Sequence, residues 1–177
     1  VIFASSAAAS APTSPYGLHK YMTEKECQLY SELYNIDTVS LRYFNVYSKE
    51  QKYGGPYSTV ISAWMEMLKQ DKPLVINGDG LQTRDFIHVD DIVSANVFCM
   101  NHKKNFNGNV FDVGTGIETS LNKIKNVIDE ITNVNWQHNP ERIGDIKYSV
   151  ANVYKLKKLG WSSQVRIENG LKQCFGE

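Results

Sequence analysis

Short apolar runs alternate along this chain with longer stretches whose apolar residues recur at helical spacing, and few folds accept that order. Extended segments are predicted at 1–4, 38–43, 74–77 and 109–113, and helices at 15–35, 57–70, 89–103 and 120–132. Two short helices follow near 152–159 and 167–175. Val60, Ile61, Trp64, Met65 and Leu68 form one stripe, and Leu121, Ile124, Val127, Ile128 and Ile131 form another behind the capping residue Ser120. Both stripes read as core. Buried strands separated by helices require an α/β architecture with mostly parallel pairing. The 177 residues suffice for one domain with a substantial core, whereas two complete domains would be a tight fit.

Bulk properties exclude several function classes. Lys+Arg and Asp+Glu both number 19, so no overall field selects nucleic acid or an anionic membrane, and any anion site must be built locally. Cys27, Cys99 and Cys174 have neither metal-ligand nor disulfide-framework spacing, which predicts buried reduced thiols and no metal. No apolar run approaches the ~20 residues needed to span a bilayer, and no signal-peptide pattern is present, so a cytoplasmic location is expected. Residues 4–12, rich in Ala and Ser, are expected to form a loop.

Candidate chemistry begins with Tyr16 and Lys20, four residues apart in Ser14-Pro15-Tyr16-Gly17-Leu18-His19-Lys20, with Ser5-Ser6 just upstream. Ser14 is a good N-cap and Pro15 suits the first helical position, so Tyr16 and Lys20 share one helical face. A cation held near a phenol favours the phenolate, which makes a general base. A serine hydroxyl at the end of the preceding strand can bind a substrate oxygen on which charge changes.

With these residues stand Leu41-Arg42-Tyr43-Phe44-Asn45-Val46-Tyr47, Asn77-Gly78-Asp79-Gly80, Thr83-Arg84-Asp85-Phe86-Ile87-His88-Val89-Asp90-Asp91, Asp112-Val113-Gly114-Thr115-Gly116 and Arg142-Ile143-Gly144-Asp145. In order and spacing the set resembles the extended short-chain dehydrogenase/reductase family, in its nucleotide-sugar epimerase and dehydratase branch. The resemblance implies the C-terminal part of a doubly wound, Rossmann-type parallel sheet over 1–45. Residues 46–177 would be mainly a smaller α/β lobe that binds the nucleotide sugar, with chain crossings between the lobes. It implies NAD as cofactor, a UDP-sugar as substrate and a homodimer formed through the helix that carries Tyr16, where Leu29, Tyr30, Leu33 and Tyr34 exceed the needs of one core stripe. The family's Gly-rich turn, which holds the cofactor pyrophosphate on a helix N-terminus, does not occur in this sequence, and the stretch between Ser6 and Tyr16 is shorter than the family pattern. Both departures imply a partial sequence or a truncated protein.

Carried over residue by residue, the resemblance makes Tyr16 the catalytic base, Lys20 the ligand of the nicotinamide ribose and Ser6 the group that holds the reacting oxygen. Ser5, Tyr43 and Phe44 would lie beside the cofactor. Asn45, Val60, Val75 and Asn77 would contact substrate, the last two on an extended segment that meets a uracil edge. Arg84 and Arg142 would grip the diphosphate with planar, always-charged guanidinium groups, and Asp145 would accept from the ribose hydroxyls. His88 would position the arginine loop. Ser149, seven residues beyond Arg142, falls where a bulky side chain disfavours an N-acetyl group in the resembling epimerases. A serine leaves room for one.

Dehydratase and decarboxylase relatives carry an acidic residue at the serine motif, where this chain has Ser5-Ser6-Ala7-Ala8-Ala9. The expected reaction is therefore NAD-dependent 4-epimerisation of a UDP-hexose through a 4-keto sugar, with UDP-N-acetylglucosamine, UDP-glucose or both as substrate. The alternatives are a uronate epimerase, decarboxylase or 4,6-dehydratase of the same family, and a cofactor-free remnant that binds nucleotide sugars or associates with other subunits.

Overall fold

A computed structural model describes residues 1–54, 58–142, 144 and 146–176. In chain order the elements are β1 (Ile2–Ser6), a 3-10 turn (Ala7–Ala9), α1 (Pro15–Tyr34), β2 (Val39–Tyr43), β3 (Asn45–Tyr47), α2 (Val60–Lys69), β4 (Leu74–Asn77), β5 (Thr83–Arg84), β6 (Phe86–His88), α3 (Val89–Met100), β7 (Asn109–Val113), β8 (Thr119–Ser120), α4 (Leu121–Ile131), β9 (Trp136–Asn139), α5 (Tyr154–Leu159) and α6 (Ile167–Phe175). The α/β class and every predicted strand and helix are present, with ends within a few residues of expectation. The predicted start of the second helix, Tyr57, lies outside the described residues. Five short strands, β3, β5, β6, β8 and β9, were not expected. Residues 4–12 are not the continuous loop their composition suggested, because β1 runs to Ser6 and the 3-10 turn follows at once.

The described residues form two compact units. The first comprises Val1–Phe44, Asp90–Gly116 and Ala151–Ser163. Its sheet has the order β1-β2-β7 with both pairs parallel. Register is strict: Ser5 faces Arg42, which faces Asp112, and Ser6 faces Tyr43, which faces Val113. All three strands therefore end in one row, and in open parallel sheets ligands gather at such carboxyl ends.

Helix α1 starts where the sequence places it. The Ser14 hydroxyl accepts from the Gly17 amide at 3.2 Å, Pro15 occupies the first turn, and Asn35 ends the helix in the left-handed region at φ 53°. Gly17 is buried because the first turn of α1 lies directly on the 3-10 turn. A Cβ at this position would come within 2.6 Å of the Ala8 carbonyl oxygen.

The second unit comprises Asn45–Val89, Ile117–Val150 and Gln164–Glu177. It is assembled from three small pairings, β3 with β6 and β4 with β9 in parallel and β5 with β8 antiparallel. Both predicted helical stripes meet here: Ile61, Trp64 and Met65 of α2 join Ile124 and Ile128 of α4 in one core with Leu74 and Ile76 of β4 and Leu171 of α6. The Trp64 ring meets Trp136 edge-on at 5.1 Å, and its indole N–H donates to the Val75 carbonyl at 2.8 Å.

All three cysteines are free thiols, but only Cys99 is buried; Cys27 and Cys174 are half-buried. The expectation of three buried thiols fails because the outer flanks of α1 and α6 are only partly covered. Among the described residues no helix is long and apolar enough to cross a membrane, and no group of three potential metal ligands occurs.

Helix propensity alone predicts that Gly17→Ala raises stability by about 1 kcal/mol. The contact with Ala8 predicts the opposite sign, a loss of about 1–3 kcal/mol from overpacking against a carbonyl that belongs to the backbone and cannot swing aside. The expected outcome is a lower urea midpoint at unchanged slope.

Candidate functional site

The first unit holds the residues expected to carry out chemistry. Tyr16 and Lys20 share a face of α1, with the Lys20 ammonium 5.8 Å from the centre of the Tyr16 ring and 5.0 Å from that of Phe3. Lys20 Nζ donates to the Ala4 carbonyl at 2.7 Å. That bond pins the helix to β1 and takes one of three ammonium protons, leaving two for a ligand diol. The Tyr16 ring is partly exposed, at 37 %.

The two serines differ in a way their adjacency conceals. Ser5 is buried, and its hydroxyl donates to Glu24 Oε1 at 2.5 Å. Ser6 sits at the end of β1, half-buried, and its hydroxyl oxygen accepts from the Ala8 amide at 3.3 Å as the cap of the 3-10 turn. In that role its proton stays available to another acceptor.

Of the strand-end residues, Tyr43 donates its phenol to the Asn96 side chain on α3 at 3.0 Å, and burial pushes that phenol up from its ordinary range. Phe44 is buried, and its amide donates to the Val113 carbonyl at 3.1 Å.

Sequence reasoning missed a set of charged groups under this row. Glu24 is 1 % exposed, and it takes two parallel bonds from the Arg42 guanidinium, Nε to Oε1 at 2.8 Å and an Nη to Oε2 at 2.6 Å. The hydrogen bonds it donates to Glu24 raise the Arg42 guanidinium above its ordinary value, against the effect of burial. Asp112, opposite Arg42 across the β2–β7 pair, accepts from the Asn152 amide at 3.0 Å. Burial pushes its carboxyl up, although Asn152 and Arg42 pull the other way. Two signals were available. Glu24 continues the Tyr16, Lys20 spacing by another four residues, and Arg42 is a charge inside a largely buried strand.

The second unit holds the residues expected to bind substrate. Arg84 lies in β5, half-buried, with its guanidinium donating to the Thr83 carbonyl at 2.8 Å. Arg142 is exposed beyond β9. With the Asn77 amide oriented so that its oxygen faces Arg142, that oxygen accepts from the guanidinium at 3.1 and 3.3 Å. Strand pairing explains why they meet, since Asn77 faces Asn139 in the β4–β9 register. A cavity of about 150 Å³ opens beside Asn77, bordered by Gly78, Gln82, Glu141 and Tyr148. Asn45 is half-buried in β3, where its amide donates to the Asp85 carbonyl. Val60 opens α2 and packs against the core, and Ser149 is half-buried. His88 is buried against Tyr47, ring centres 5.3 Å apart, within the core. Asp145 lies outside the described residues.

The residues present fit the nicotinamide end of a dinucleotide: an ammonium with spare donors, a phenol beside it, and parallel strands ending in one row. Phenol and ammonium can move a proton from a hydroxyl, and in the second unit the Arg84 and Arg142 guanidinium groups are of the type that meets an anion in a planar, charge-assisted contact.

Comparison with known proteins accords with this chemistry. The sequence profile of the NAD dependent epimerase/dehydratase family matches residues 3–114. The chain is 32% identical over 163 residues to a UDP-glucose 4-epimerase from Mycolicibacterium smegmatis, covering 90% of this chain and 51% of that protein. It superposes with a TM-score of 0.90 at 31% identity on a UDP-N-acetylglucosamine 4-epimerase from Methanobrevibacter ruminantium M1 solved with UDP-N-acetylmuramic acid, over 99% of this chain and 61% of the other. With a UDP-glucose 4-epimerase from Thermotoga maritima solved with UDP-glucose the TM-score is 0.88 at 33% identity, over 98% and 61%. The chain spans about half the length of the curated relatives it matches.

Asp112 gives this unit a pH dependence whose sign is determined. Its folded-state carboxyl holds the proton to higher pH than the unfolded chain does, so stability falls as pH rises from about 3.9 through the folded titration. Above that window the buried charge is a cost. Asp112→Asn keeps an acceptor for Asn152 and removes the charge. The substitution should raise the melting temperature at pH 7, with the gain shrinking as pH drops toward 4 in a thermal melt series.

Proposed function

Since the chain belongs to the NAD dependent epimerase/dehydratase family, we propose that it carries the catalytic and nucleotide-sugar-binding residues of a UDP-hexose 4-epimerase. The observation that carries the reading is the division of labour between Ser5 and Ser6. Glu24 engages Ser5, while Ser6, at the strand end, keeps a proton to donate to a substrate oxygen. In this reading Tyr16 takes the proton from the sugar 4-hydroxyl, Ser6 steadies the oxygen as it becomes a carbonyl, and Lys20 stabilises the phenolate. Lys20 and Tyr16 would also hold the nicotinamide ribose, with Tyr43 and Phe44 shaping the wall beside it and Ser5 acting through Glu24. Bound NAD would supply a reversible hydride acceptor for C4 of the sugar, which is what lets hydride return to the opposite face. Arg84 and Arg142 would neutralise the diphosphate, with Asn77 orienting Arg142. Asn45, Val60, Val75, Asp145 and Ser149 complete the proposed substrate contacts. A fixed diphosphate lets the keto sugar turn without leaving, which is the positioning such a cycle needs.

Two further features support finer statements. Ser149 is small, which favours an acetamido sugar as substrate. On α1, Leu29, Tyr30, Leu33 and Tyr34 are between 51% and 70% exposed, and the Tyr30 and Tyr34 rings lie 5.3 Å apart. This apolar face favours pairing with a second copy, so Leu33→Glu should shift a sedimenting dimer to monomer.

The test is product analysis by proton NMR with NAD and, separately, UDP-N-acetylglucosamine, UDP-glucose and UDP-glucuronate. The expected products are the C4 epimers of the first two, with the acetamido sugar turned over at least as fast. Tyr16→Phe should lower kcat by about 10²–10⁴ through loss of the base. Ser149→Tyr should remove activity on the acetamido sugar and spare UDP-glucose. A 4-keto-6-deoxy product would assign a dehydratase, and loss of carbon dioxide from the uronate a decarboxylase. Nucleotide-sugar binding without any NAD binding would favour a cofactor-free module.

A further inference from the structure

Directly beneath the row in which the three parallel strands end lies a second row made of polar side chains. Ser5 of β1, Arg42 of β2 and Asp112 of β7 face one another in register, one residue before Ser6, Tyr43 and Val113. Glu24 reaches into that row from α1, bonding Ser5 and gripping Arg42 with both carboxylate oxygens. Asp112 adds its field to Arg42 and accepts from Asn152 on the segment that leads into α5. One set of contacts thus links three strands, the catalytic helix and a fifth segment.

The linkage has a direction. Tyr16, Lys20 and Glu24 are spaced by four, so they stack along one face of α1. Lys20 fastens that face to the Ala4 carbonyl and Glu24 fastens it to Ser5, so successive turns of the helix are tied to successive residues of β1. A bidentate guanidinium–carboxylate pair tolerates little sliding or rotation, unlike an apolar contact. The height of Tyr16 above the end of β1 is therefore set by the Glu24 bonds.

We propose that Glu24, locked by Arg42 and Ser5, is the positioning residue of the catalytic helix, holding Tyr16 and Lys20 in register with Ser6. Glu24 touches neither substrate nor cofactor in this scheme. Its burial is costly, and apolar residues of similar volume often serve stability as well as or better than a buried pair. Positioning explains why charge stands here instead. The inference rests on the epimerase reading for its kinetic consequence and on the geometry alone for its structural one.

The experiment compares the wild-type chain with Glu24→Gln and with the doubly apolar Glu24→Met/Arg42→Met, which removes both charges together. Each is assayed for turnover as above, melted, and examined by ¹H–¹⁵N correlation NMR. Glu24→Gln should lower kcat about 10- to 100-fold with KM for the UDP-sugar within about twofold. The double variant should melt near wild type and still show the kcat loss, which a merely structural role would not produce. In both, amide signals of Ser6, Ala8, Tyr16 and Lys20 should move while those of α4 and α6 stay in place. Wild-type kcat in the folded double variant would overturn the proposal, and so would unmoved Ser6 and Tyr16 signals. If the wild-type chain turns over no UDP-sugar, the epimerase reading fails by itself, and the amide shifts alone decide whether Glu24 positions the helix.

Discussion

A carboxylate taken out of water must be met by charge and hydrogen bonds, or it unfolds whatever buries it. Glu24 is almost wholly buried, and its partners are a serine on one strand and an arginine on the next. Breaking such a pair by removing one member costs about 3–5 kcal/mol, a large share of the stability of a small domain. The partners satisfy Glu24 only when β1 and β2 pair in the observed register and α1 docks at one height. Hydrophobic packing of a helix on a sheet permits small slips, whereas this network does not. The close approach at Gly17, the placement of Lys20 over Ala4 and the alignment of three strand ends all follow from that single docking solution.

The second unit answers a different constraint. A chain with 19 positive and 19 negative side chains has no surplus field with which to hold a diphosphate. In the proposed reading, any grip on an anion rests on individual guanidinium groups. Arg84 donates to a backbone carbonyl and Arg142 to an amide oxygen. A hydrogen bond to an uncharged acceptor fixes the plane of a guanidinium without adding a negative charge. Arg42 in the first unit differs, since it is paired with the Glu24 carboxylate.

How much of this could be read in the sequence depended on the range of the interaction. The four predicted long helices and four predicted strands rest on local periodicity and capping, and all are present. Ser14, Pro15 and Gly17 describe the start of α1 almost completely. The five missed strands have two to four residues each. Thr83–Arg84 and Thr119–Ser120 are extended only because each has the other to pair with, and no window of either segment carries that information. Tyr16, Lys20 and Ser6 could be singled out because motifs elsewhere in the chain accompany a Tyr–Lys spacing that is common on its own. Glu24, Arg42 and Asp112 are far apart in the chain, and only parallel pairing makes them neighbours. Tyr43 and Phe44 stand at the strand end, where the Tyr43 phenol donates to Asn96 and the Phe44 amide to the Val113 carbonyl, contacts that no local window shows.

The buried row also bears on which reaction the strand end can support. Elimination or decarboxylation needs a carboxyl group near the reacting carbon that can change protonation at working pH. The carboxylates nearest in register, Glu24 and Asp112, belong to the row below, where a guanidinium and a serine hydroxyl donate to Glu24 and one backbone amide donates to Asp112. Above them the 3-10 turn is three alanines, which can neither donate nor accept a proton through their side chains. Among the described residues at this strand end, Ser6 offers a hydroxyl and Tyr16 a phenol beside the Lys20 ammonium. These groups move a single proton and steady a single oxygen. Such a set suits a reversible oxidation at one carbon, in which the enzyme ends each cycle with the protons it began with.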